Sequence, residues 1–265
     1  MIEAHSYIAA ETSWIDDIGE GTRAFLGVPK RFAGPYGAVV LGHERYGLVQ
    51  HTLDLVAKFA SYGYVALAPD MASHWDGDKE ALNRGDVGLT LTDDEVQGYM
   101  AQSVHYLQTV PSVDPGRVAV MGVCQSGGYP HLANAIIPDV YANIVFYGGV
   151  RPRDDVVAAL TAPTLGIFGE ADHTIAIKDV YAFRAKLEEH KKSYEFHLFP
   201  GMPHGWLNDT MPGRYRQPEA EQAWKVLMRF LDRVNAGGFP QGRVHWQMTA
   251  AWSRSYDFTK NVRLA

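Results

Sequence analysis

Short apolar segments alternate with longer amphipathic segments along most of the chain. The segments "TRAFLGVP", "GAVVLG", "YVALAPD", "RVAVMG", "NIVFYGG", "TLGIFG" and "YEFHLFP" are rich in β-branched and aromatic residues, which predicts strands. The segments "TLDLVAKFASYG" and "IAIKDVYAFRAKLEEHKK" have apolar residues at helical spacing. Nearly continuous apolar strands separated by helices predict an α/β protein with a mostly parallel sheet covered on both faces.

Two of the predicted helices carry a recognisable start. The segment "TDDEVQGYMAQSVHYLQTV" opens with Thr92 and has Glu95 three residues later, which is the capping-box pattern. The segment "QPEAEQAWKVLMRFLDRV" has Pro218 in its first turn, where the missing N–H of proline is tolerated. Both segments are therefore expected to form long helices.

The composition changes at "NAGGFPQG", residues 235–242. We assign residues 1–235 to one α/β domain and residues 236–265 to an extension that packs on this domain or on a partner subunit. The extension has no clear helical or strand period, but its aromatic content is too high for a disordered tail. A homodimer formed through the extension is a further expectation. The aromatic residues concerned are Trp246, Trp252, Tyr256 and Phe258.

Composition and charge exclude several classes of function. The chain has 265 residues, 46% hydrophobic residues and a net charge of −6, and no cluster of Lys and Arg suggests a nucleic-acid partner. No apolar run approaches the roughly 18 residues of a membrane span, and the amino terminus lacks the pattern of a signal peptide. The single cysteine favours a reducing, cytoplasmic setting. No clustered ligand spacing indicates a metal, and no organic cofactor is implied.

A sharp turn from strand to helix is predicted at "GVCQSGG". Such a nucleophile elbow needs small residues two positions before and two positions after the nucleophile. Cys124 has Gly122 and Ser126 at those positions, and Ser126 has Cys124 and Gly128. The apolar run "VAVM" ends at Met121, and this register favours Cys124. The alternatives are a serine esterase or peptidase that uses Ser126, and a buried cysteine with a structural role.

Two further residues complete a candidate catalytic triad. Asp172 follows the strand "TLGIFG", and His204 lies in the loop after "YEFHLFP". The order nucleophile, acid, base along the chain is that of α/β hydrolases. In this interpretation His204 accepts the proton of the Cys124 thiol, while Asp172 holds the imidazole in position.

The loop after "GAVVLG" and the residue after Cys124 supply candidate oxyanion donors. The backbone N–H of Gln125 lies at the start of the predicted helix, and the backbone N–H of Arg45 is the second candidate. Glu44 precedes Arg45, and a carboxylate beside such a pocket is costly unless it has a partner. The alternative for Glu44 is an exposed ion pair with Arg45.

These motifs together resemble the dienelactone hydrolase family within the α/β hydrolases. The matching segments include "VVLGHERYGL", "YGYVALAPD", "VAVMGVCQSGG", "IVFYGG", "TLGIFGEADHTI" and "FPGMPHGW". The resemblance implies an α/β-hydrolase fold and hydrolysis of a small ester or lactone through a cysteinyl acyl-enzyme. It also implies that Cys124 is the nucleophile and that Glu44 helps to generate the thiolate when substrate arrives. A relative that rearranges lactones or only binds a ligand is the remaining alternative.

The chain departs from this family where the substrate carboxylate is bound. Dienelactone hydrolases use two arginines there, and this chain has His74 and Asn208 at the matching positions. We therefore expect a neutral substrate, unless Arg45 or Arg84 takes over as the anion site. Four aromatic residues are expected to line the pocket with His74 and Asn208: Tyr46, Trp75, Tyr129 and Trp206.

Overall fold

The computed structural model describes residues 10–30, 34–150, 153–240 and 242–250. Its strands are β1 (Ala10–Ile15), β2 (Ala24–Pro29), β3 (Tyr36–Gly42), β4 (Val65–Pro69), β5 (Val113–Val123), β6 (Asn143–Phe146), β7 (Thr164–Gly169), β8 (Tyr194–Phe199) and β9 (Trp246–Ala250). Its α-helices are α1 (Gln50–Ser61), α2 (Lys79–Arg84), α3 (Asp93–Thr109), α4 (Tyr129–Ile136), α5 (Asp154–Ala159), α6 (Ile177–Glu189) and α7 (Gln217–Asn235). A short 3-10 helix, Cys124–Gly128, follows β5.

The nine strands form one sheet in the order β1-β2-β4-β3-β5-β6-β7-β8-β9. The first two strands pair antiparallel with each other, and β2 pairs antiparallel with β4. Every other neighbouring pair is parallel. The mostly parallel sheet predicted from the apolar segments is therefore confirmed.

Alternate residues of the central strands contribute to cores on opposite faces of the sheet, as the period of two in a strand requires. Val39 and Leu41 of β3 pack in a cluster that includes residues of α1 and α7. Val40 packs on the other face, in a cluster that includes residues of α3 and α4. Both faces are thus covered by helices. Within the described ranges, every helix is too short or too polar to span a bilayer.

Part of the C-terminal extension continues the sheet. Strand β9 pairs in parallel with β8, with Trp246 opposite Tyr194. A polar cluster reinforces this edge: the Arg233 guanidinium contacts the buried carboxylate of Glu195 and donates to Nε2 of His245 at 3.2 Å. Because the extension shows no clear strand period, the sequence did not predict β9. The remaining aromatic residues of the extension, Trp252, Tyr256 and Phe258, lie outside the described residues, and the boundary at residue 235 stays a prediction.

The carboxyl ends of the parallel strands bring distant parts of the chain to one edge of the sheet. Glu44 follows β3, Cys124 follows β5 and Tyr147 follows β6. Asp172 lies three residues after β7, and His204 lies five residues after β8. This edge therefore holds the candidate site.

Candidate active site

The turn at Cys124 is tight and strained. Cys124 has a φ of 58°, in the left-handed region that non-glycine residues seldom occupy. A Cβ on Gly122 would lie 2.0 Å from the backbone oxygen of Ser126, and a Cβ on Gly127 would lie 2.2 Å from Cα of Gly148. Glycine is required at both positions because the backbones approach so closely. The strained turn leaves the Cys124 side chain partly exposed.

Ser126 has a structural place in this turn. Its hydroxyl accepts a hydrogen bond from the backbone N–H of Val123 at 2.8 Å and donates to the carbonyl of the same residue at 2.9 Å. The Ser126 side chain is fully buried. The hydroxyl thus closes the turn from within, and it is Cys124 whose side chain faces the candidate site.

Cys124, His204 and Asp172 lie in one chain of hydrogen bonds. The Cys124 Sγ is 3.0 Å from Nε2 of His204, and Nδ1 of His204 is 2.9 Å from Oδ2 of Asp172. The other carboxylate oxygen of Asp172 accepts from the backbone N–H groups of Thr174 and Ile175 at 2.7 and 2.9 Å. These two bonds fix the carboxylate, which in turn fixes the orientation of the imidazole.

The surroundings of His204 favour its charged form. Burial alone lowers the pKa of this imidazole, but its hydrogen bonds to Asp172 and Cys124 and the charges of these two residues outweigh burial. The net effect raises the pKa of His204 to about 10. At neutral pH the positively charged imidazolium therefore lies beside the Cys124 sulfur.

Glu44 is buried in a network of neutral hydrogen-bond donors. Its Oε1 accepts from the hydroxyl of Tyr147 at 3.2 Å, and its Oε2 accepts from Nδ2 of Asn208 at 2.6 Å. The Asn208 side-chain oxygen accepts from the N–H and the hydroxyl of Thr210, at 3.0 and 2.6 Å. No hydrogen bond joins Glu44 to Cys124, both of which the structure describes. The alternative of an exposed ion pair between Glu44 and Arg45 does not hold, because Glu44 is 3% exposed.

Tyr147 is a site residue that the sequence reasoning missed. Burial, the charge of Glu44 and the charge of Cys124 raise the pKa of Tyr147 well above its ordinary value, so its hydroxyl stays protonated and donates to Glu44. Its ring lies edge-on to His204, with centroids 5.2 Å apart. Tyr147 has a φ of 32°, which marks a turn directly after β6. Its place at the end of a predicted parallel strand is the signal that could have identified it.

The residues of the two candidate oxyanion donors lie at the expected strand ends. Gln125 follows Cys124 in the 3-10 helix, and Arg45 follows Glu44 in the loop after β3. Both side chains hydrogen-bond to the segment after α2. Arg45 Nη2 donates to the Gly85 carbonyl at 3.1 Å, and Gln125 Nε2 donates to the Leu89 carbonyl.

Two aromatic residues expected to line the pocket belong to the hydrophobic core. Trp206 has no exposed surface and packs against Phe146, Tyr147 and Phe199. Tyr129 is 4% exposed and lies in the cluster on the face of the sheet that α3 and α4 cover. Trp206 lies in a turn after β8 and Tyr129 opens α4, and both rings are directed inward, so neither ring offers a surface to a substrate.

The other expected binding residues occupy three different environments. His74 is exposed and stacks on Tyr99 with ring centroids 6.1 Å apart. Trp75 packs on a small apolar cluster near α2, and Tyr46 packs against Gly85. Asn208, at 1% exposure, binds Glu44 and has no surface for a substrate.

One group of side chains outside the triad has the composition of a metal site. Ligand atoms of Asp154, Glu189 and His190 lie within 4.8 Å of one another. The Lys186 ammonium lies 2.7 Å from Asp154 and 3.0 Å from Glu189, so a protein cation already neutralises these exposed carboxylates. The group carries no metal assignment.

Comparison with known proteins agrees with this architecture. The model of the "Dienelactone hydrolase family" matches residues 22–235. A Methylorubrum extorquens protein named "Putative carboxymethylenebutenolidase" is 27% identical over 208 residues, which cover 73% of this chain and 71% of that protein. A Bradyrhizobium protein named "Probable 2-oxo-3-(5-oxofuran-2-ylidene)propanoate lactonase" is 29% identical over 242 residues, covering 84% and 96%. The crystal structure of a Klebsiella pneumoniae protein named "Putative Dienelactone Hydrolase" superposes with a TM-score of 0.75 at 24% identity, covering 85% of this chain and 99% of that one.

Proposed function

The chain belongs to the dienelactone hydrolase family, and we propose that it hydrolyses a small neutral ester or lactone through a cysteinyl acyl-enzyme. The observation that carries the proposal is the hydrogen-bonded series from the Cys124 sulfur through His204 to Asp172, with separations of 3.0 and 2.9 Å. A thiolate is the attacking form of cysteine, and this arrangement supplies the cation that stabilises it.

In the first half of the reaction the Cys124 thiolate attacks the carbonyl carbon of the substrate. The carbonyl oxygen becomes an oxyanion, which accepts hydrogen bonds from the backbone N–H groups of Gln125 and Arg45. The tetrahedral intermediate then collapses, the bond to the leaving oxygen breaks, and His204 donates its proton to that oxygen. The product is a thioester on Cys124 and a free or tethered alcohol.

In the second half water replaces the alcohol. Neutral His204 accepts a proton from water, whose oxygen attacks the thioester carbonyl. Collapse of the second intermediate breaks the carbon–sulfur bond, releases the carboxylic acid and restores the thiolate beside the imidazolium. A lactone substrate leaves as an open hydroxy acid, because its alcohol remains attached to the acyl group.

A neutral substrate suits the charges at the site. Glu44 is buried, its two partners are neutral, and no ion pair among the described residues involves it. Arg84 pairs with Asp86 at 2.9 Å, and the Arg45 guanidinium donates to the Gly85 carbonyl. Arg84 is thus paired with a carboxylate and Arg45 is engaged by a neutral carbonyl, while a second carboxylate near Glu44 would be repelled by that buried acid.

The size of the preference for a neutral substrate can be estimated from the two arginines that the family has and this chain lacks. A hydrogen bond to a charged group contributes about 1.5–3 kcal/mol. With His74 and Asn208 at both family arginine positions, a carboxylate-bearing substrate loses about two to four orders of magnitude in kcat/KM relative to an enzyme that has both arginines.

The test compares matched aryl esters or lactones that differ only by a free carboxylate or its methyl ester, at fixed salt. We expect the neutral member to have the higher kcat/KM and to leave an acyl mass on the Cys124 peptide when the reaction is quenched. Prior alkylation with iodoacetamide should abolish turnover.

Turnover that persists after stoichiometric alkylation would overturn the cysteine mechanism. A preference for the free acid would overturn only the neutral substrate, and the alanine variants of Arg45 and Arg84 would identify the cation responsible. Release of an isomerised lactone without ring opening would replace hydrolysis by rearrangement. The proposal includes a reducing, cytoplasmic setting, because a nucleophilic thiol must stay reduced to act.

A further inference from the structure

Arg45 and Gln125, the residues of the proposed oxyanion hole, both donate side-chain hydrogen bonds to one surface segment. We define the cover segment as residues 79–91, which begin with α2. Arg45 Nη2 donates to the carbonyl of Gly85 at 3.1 Å, and Gln125 Nε2 donates to the carbonyl of Leu89. Arg45 follows β3 and Gln125 follows β5, so the cover segment joins two loops that belong to different strands.

Tyr46 strengthens the contact on the Arg45 side. The guanidinium of Arg45 lies 5.7 Å from the centroid of the Tyr46 ring. Gly85 has a φ of 79°, and a Cβ at this position would lie 2.7 Å from Cε1 of Tyr46. A side chain at Gly85 would therefore have to displace the Tyr46 ring, which lies beside the guanidinium that meets the Gly85 carbonyl.

The cover segment is also attached to the body by apolar contacts of its own. Its Leu82 and Leu89 form a small buried cluster with Ala72, and Trp75 and Leu91 pack against that cluster. Leu91 also packs against the large cluster that α3 and α4 cover, so it ties the cover segment to the body. The segment therefore has an anchor that does not depend on Arg45 or Gln125, and it can support their side chains.

We propose that Arg45 and Gln125 are positioning residues, whose side chains use the cover segment to fix the direction of their own backbone N–H groups. This inference rests on the proposed function, because it takes these N–H groups as the oxyanion donors. The physical reason is preorganisation: a donor stabilises a developing oxyanion best when it needs no reorientation during the reaction. Both side chains belong to exposed residues, and each hydrogen bond adds a restraint on the backbone from which it extends.

The test removes each side-chain donor and keeps the length of the side chain. We expect Gln125→Leu and Arg45→Met each to lower kcat about threefold to tenfold with little change in KM. Arg45→Lys should restore part of the loss. Gly85→Ala should lower kcat in the same way, because the new methyl group displaces Tyr46.

A matched control lies at the opposite end of β5. Gln108 Nε2 donates to the carbonyl of Pro115 at 3.2 Å, in the same kind of side-chain-to-backbone bond but away from the site. Gln108→Leu should retain the wild-type kcat. In the double variant of Arg45 and Gln125 the two losses should combine to less than their product, because both act through one segment.

Alkylation separates this inference from the proposed function. Iodoacetamide loses iodide as the sulfur–carbon bond forms, and no oxyanion develops, so the positioning variants should be alkylated at the wild-type rate. A wild type that keeps its activity after alkylation refutes the proposed function itself.

Two results would refute the positioning role alone. The first is a wild type that alkylation inactivates, with Gln125→Leu and Arg45→Met both turning over as fast as Gln108→Leu. The second is a parallel fall of alkylation and turnover in the variants, since it would place the effect on the thiolate.

Discussion

Replacing Ser126 by alanine distinguishes a structural hydroxyl from a catalytic one. Ser126 is fully buried, and its hydroxyl bonds to both the N–H and the carbonyl of Val123. We expect the Ser126→Ala variant to lose stability and to keep most of its kcat/KM. The Cys124→Ala variant should show the opposite pattern, with no acylation and a small change in stability.

The expected loss of stability follows from the unpaired Val123 N–H. A buried donor without a partner costs about 1–3 kcal/mol. The unfolding entropy of a globular protein is about 2.1 cal/mol/K per residue, which gives roughly 0.56 kcal/mol/K for 265 residues. Ser126→Ala should therefore lower Tm by roughly 2–5 °C.

A matched serine provides the control. Ser103 is also fully buried, and its hydroxyl only donates, to the carbonyl of Tyr99 at 2.7 Å in α3. Ser103→Ala removes a donor but leaves no backbone N–H unpaired, so its Tm should fall less than that of Ser126→Ala.

Calorimetry gives Tm, and ester hydrolysis with mass detection of the acyl-enzyme gives the site of attack. Loss of turnover in Ser126→Ala at an unchanged Tm, together with turnover in Cys124→Ala, would refute the reasoning and make Ser126 the nucleophile. Equal Tm values for Ser126→Ala and Ser103→Ala would refute only the account of the Val123 N–H.

Three further predictions concern the rest of the site and the sheet edge. Glu44→Gln should lower kcat/KM at least about tenfold with little loss of stability, because it removes the negative charge and keeps the shape of the side chain, while the Tyr147 hydroxyl can accept from the new amide; a variant with wild-type kcat/KM would reduce Glu44 to a structural residue. His204 has a pKa raised to about 10 in the folded protein, so its stabilising contribution is complete below about pH 6.5 and is lost as the pH rises through about 10. The Tm difference between wild type and His204→Gln should therefore shrink from pH 6 to pH 10.5, and a constant difference would contradict this. Deleting residues 240–265 removes β9 from the edge of β8 and should lower Tm. If the extension forms the proposed dimer contact, light scattering should also show a smaller particle. An unchanged Tm and an unchanged mass would show that the extension is dispensable.

Strands that are buried on both faces, and helices with a clear apolar period or a capping motif, could be predicted from the sequence. All seven residues of β3 are buried, which explains its continuous apolar run. The capping box predicted at Thr92 and Glu95 is also present. Strand β1 was missed because its residues are exposed or half-buried and carry no apolar period. Edge strands of this kind are defined by their pairing rather than by their composition.

Some residues of the candidate site could likewise be predicted from the sequence, and others could not. The grouping of Cys124, Asp172 and His204 in one site could be predicted from the sequence, because parallel strands bring their carboxyl ends to one edge of the sheet. The direction of a side chain at the end of an element or in a turn cannot be obtained in this way. Trp206 and Tyr129 were expected at the pocket and face the core, whereas Tyr147 was taken as part of a strand and donates to Glu44.

The neutral partner at position 208 changes the charge balance of the site. Glu44, Asp172 and the attacking thiolate bring three negative charges to one edge of the sheet, and the His204 imidazolium supplies the one positive charge in the hydrogen-bonded series. An arginine at position 208 would leave room for an anionic substrate, but Asn208 satisfies the Glu44 oxygen without adding charge. A bound carboxylate would add a fourth negative charge at low dielectric, where such repulsion is strong. We therefore expect Asn208, where the family has an arginine, to favour an uncharged carbonyl compound over a carboxylate-bearing one, as the proposed function requires.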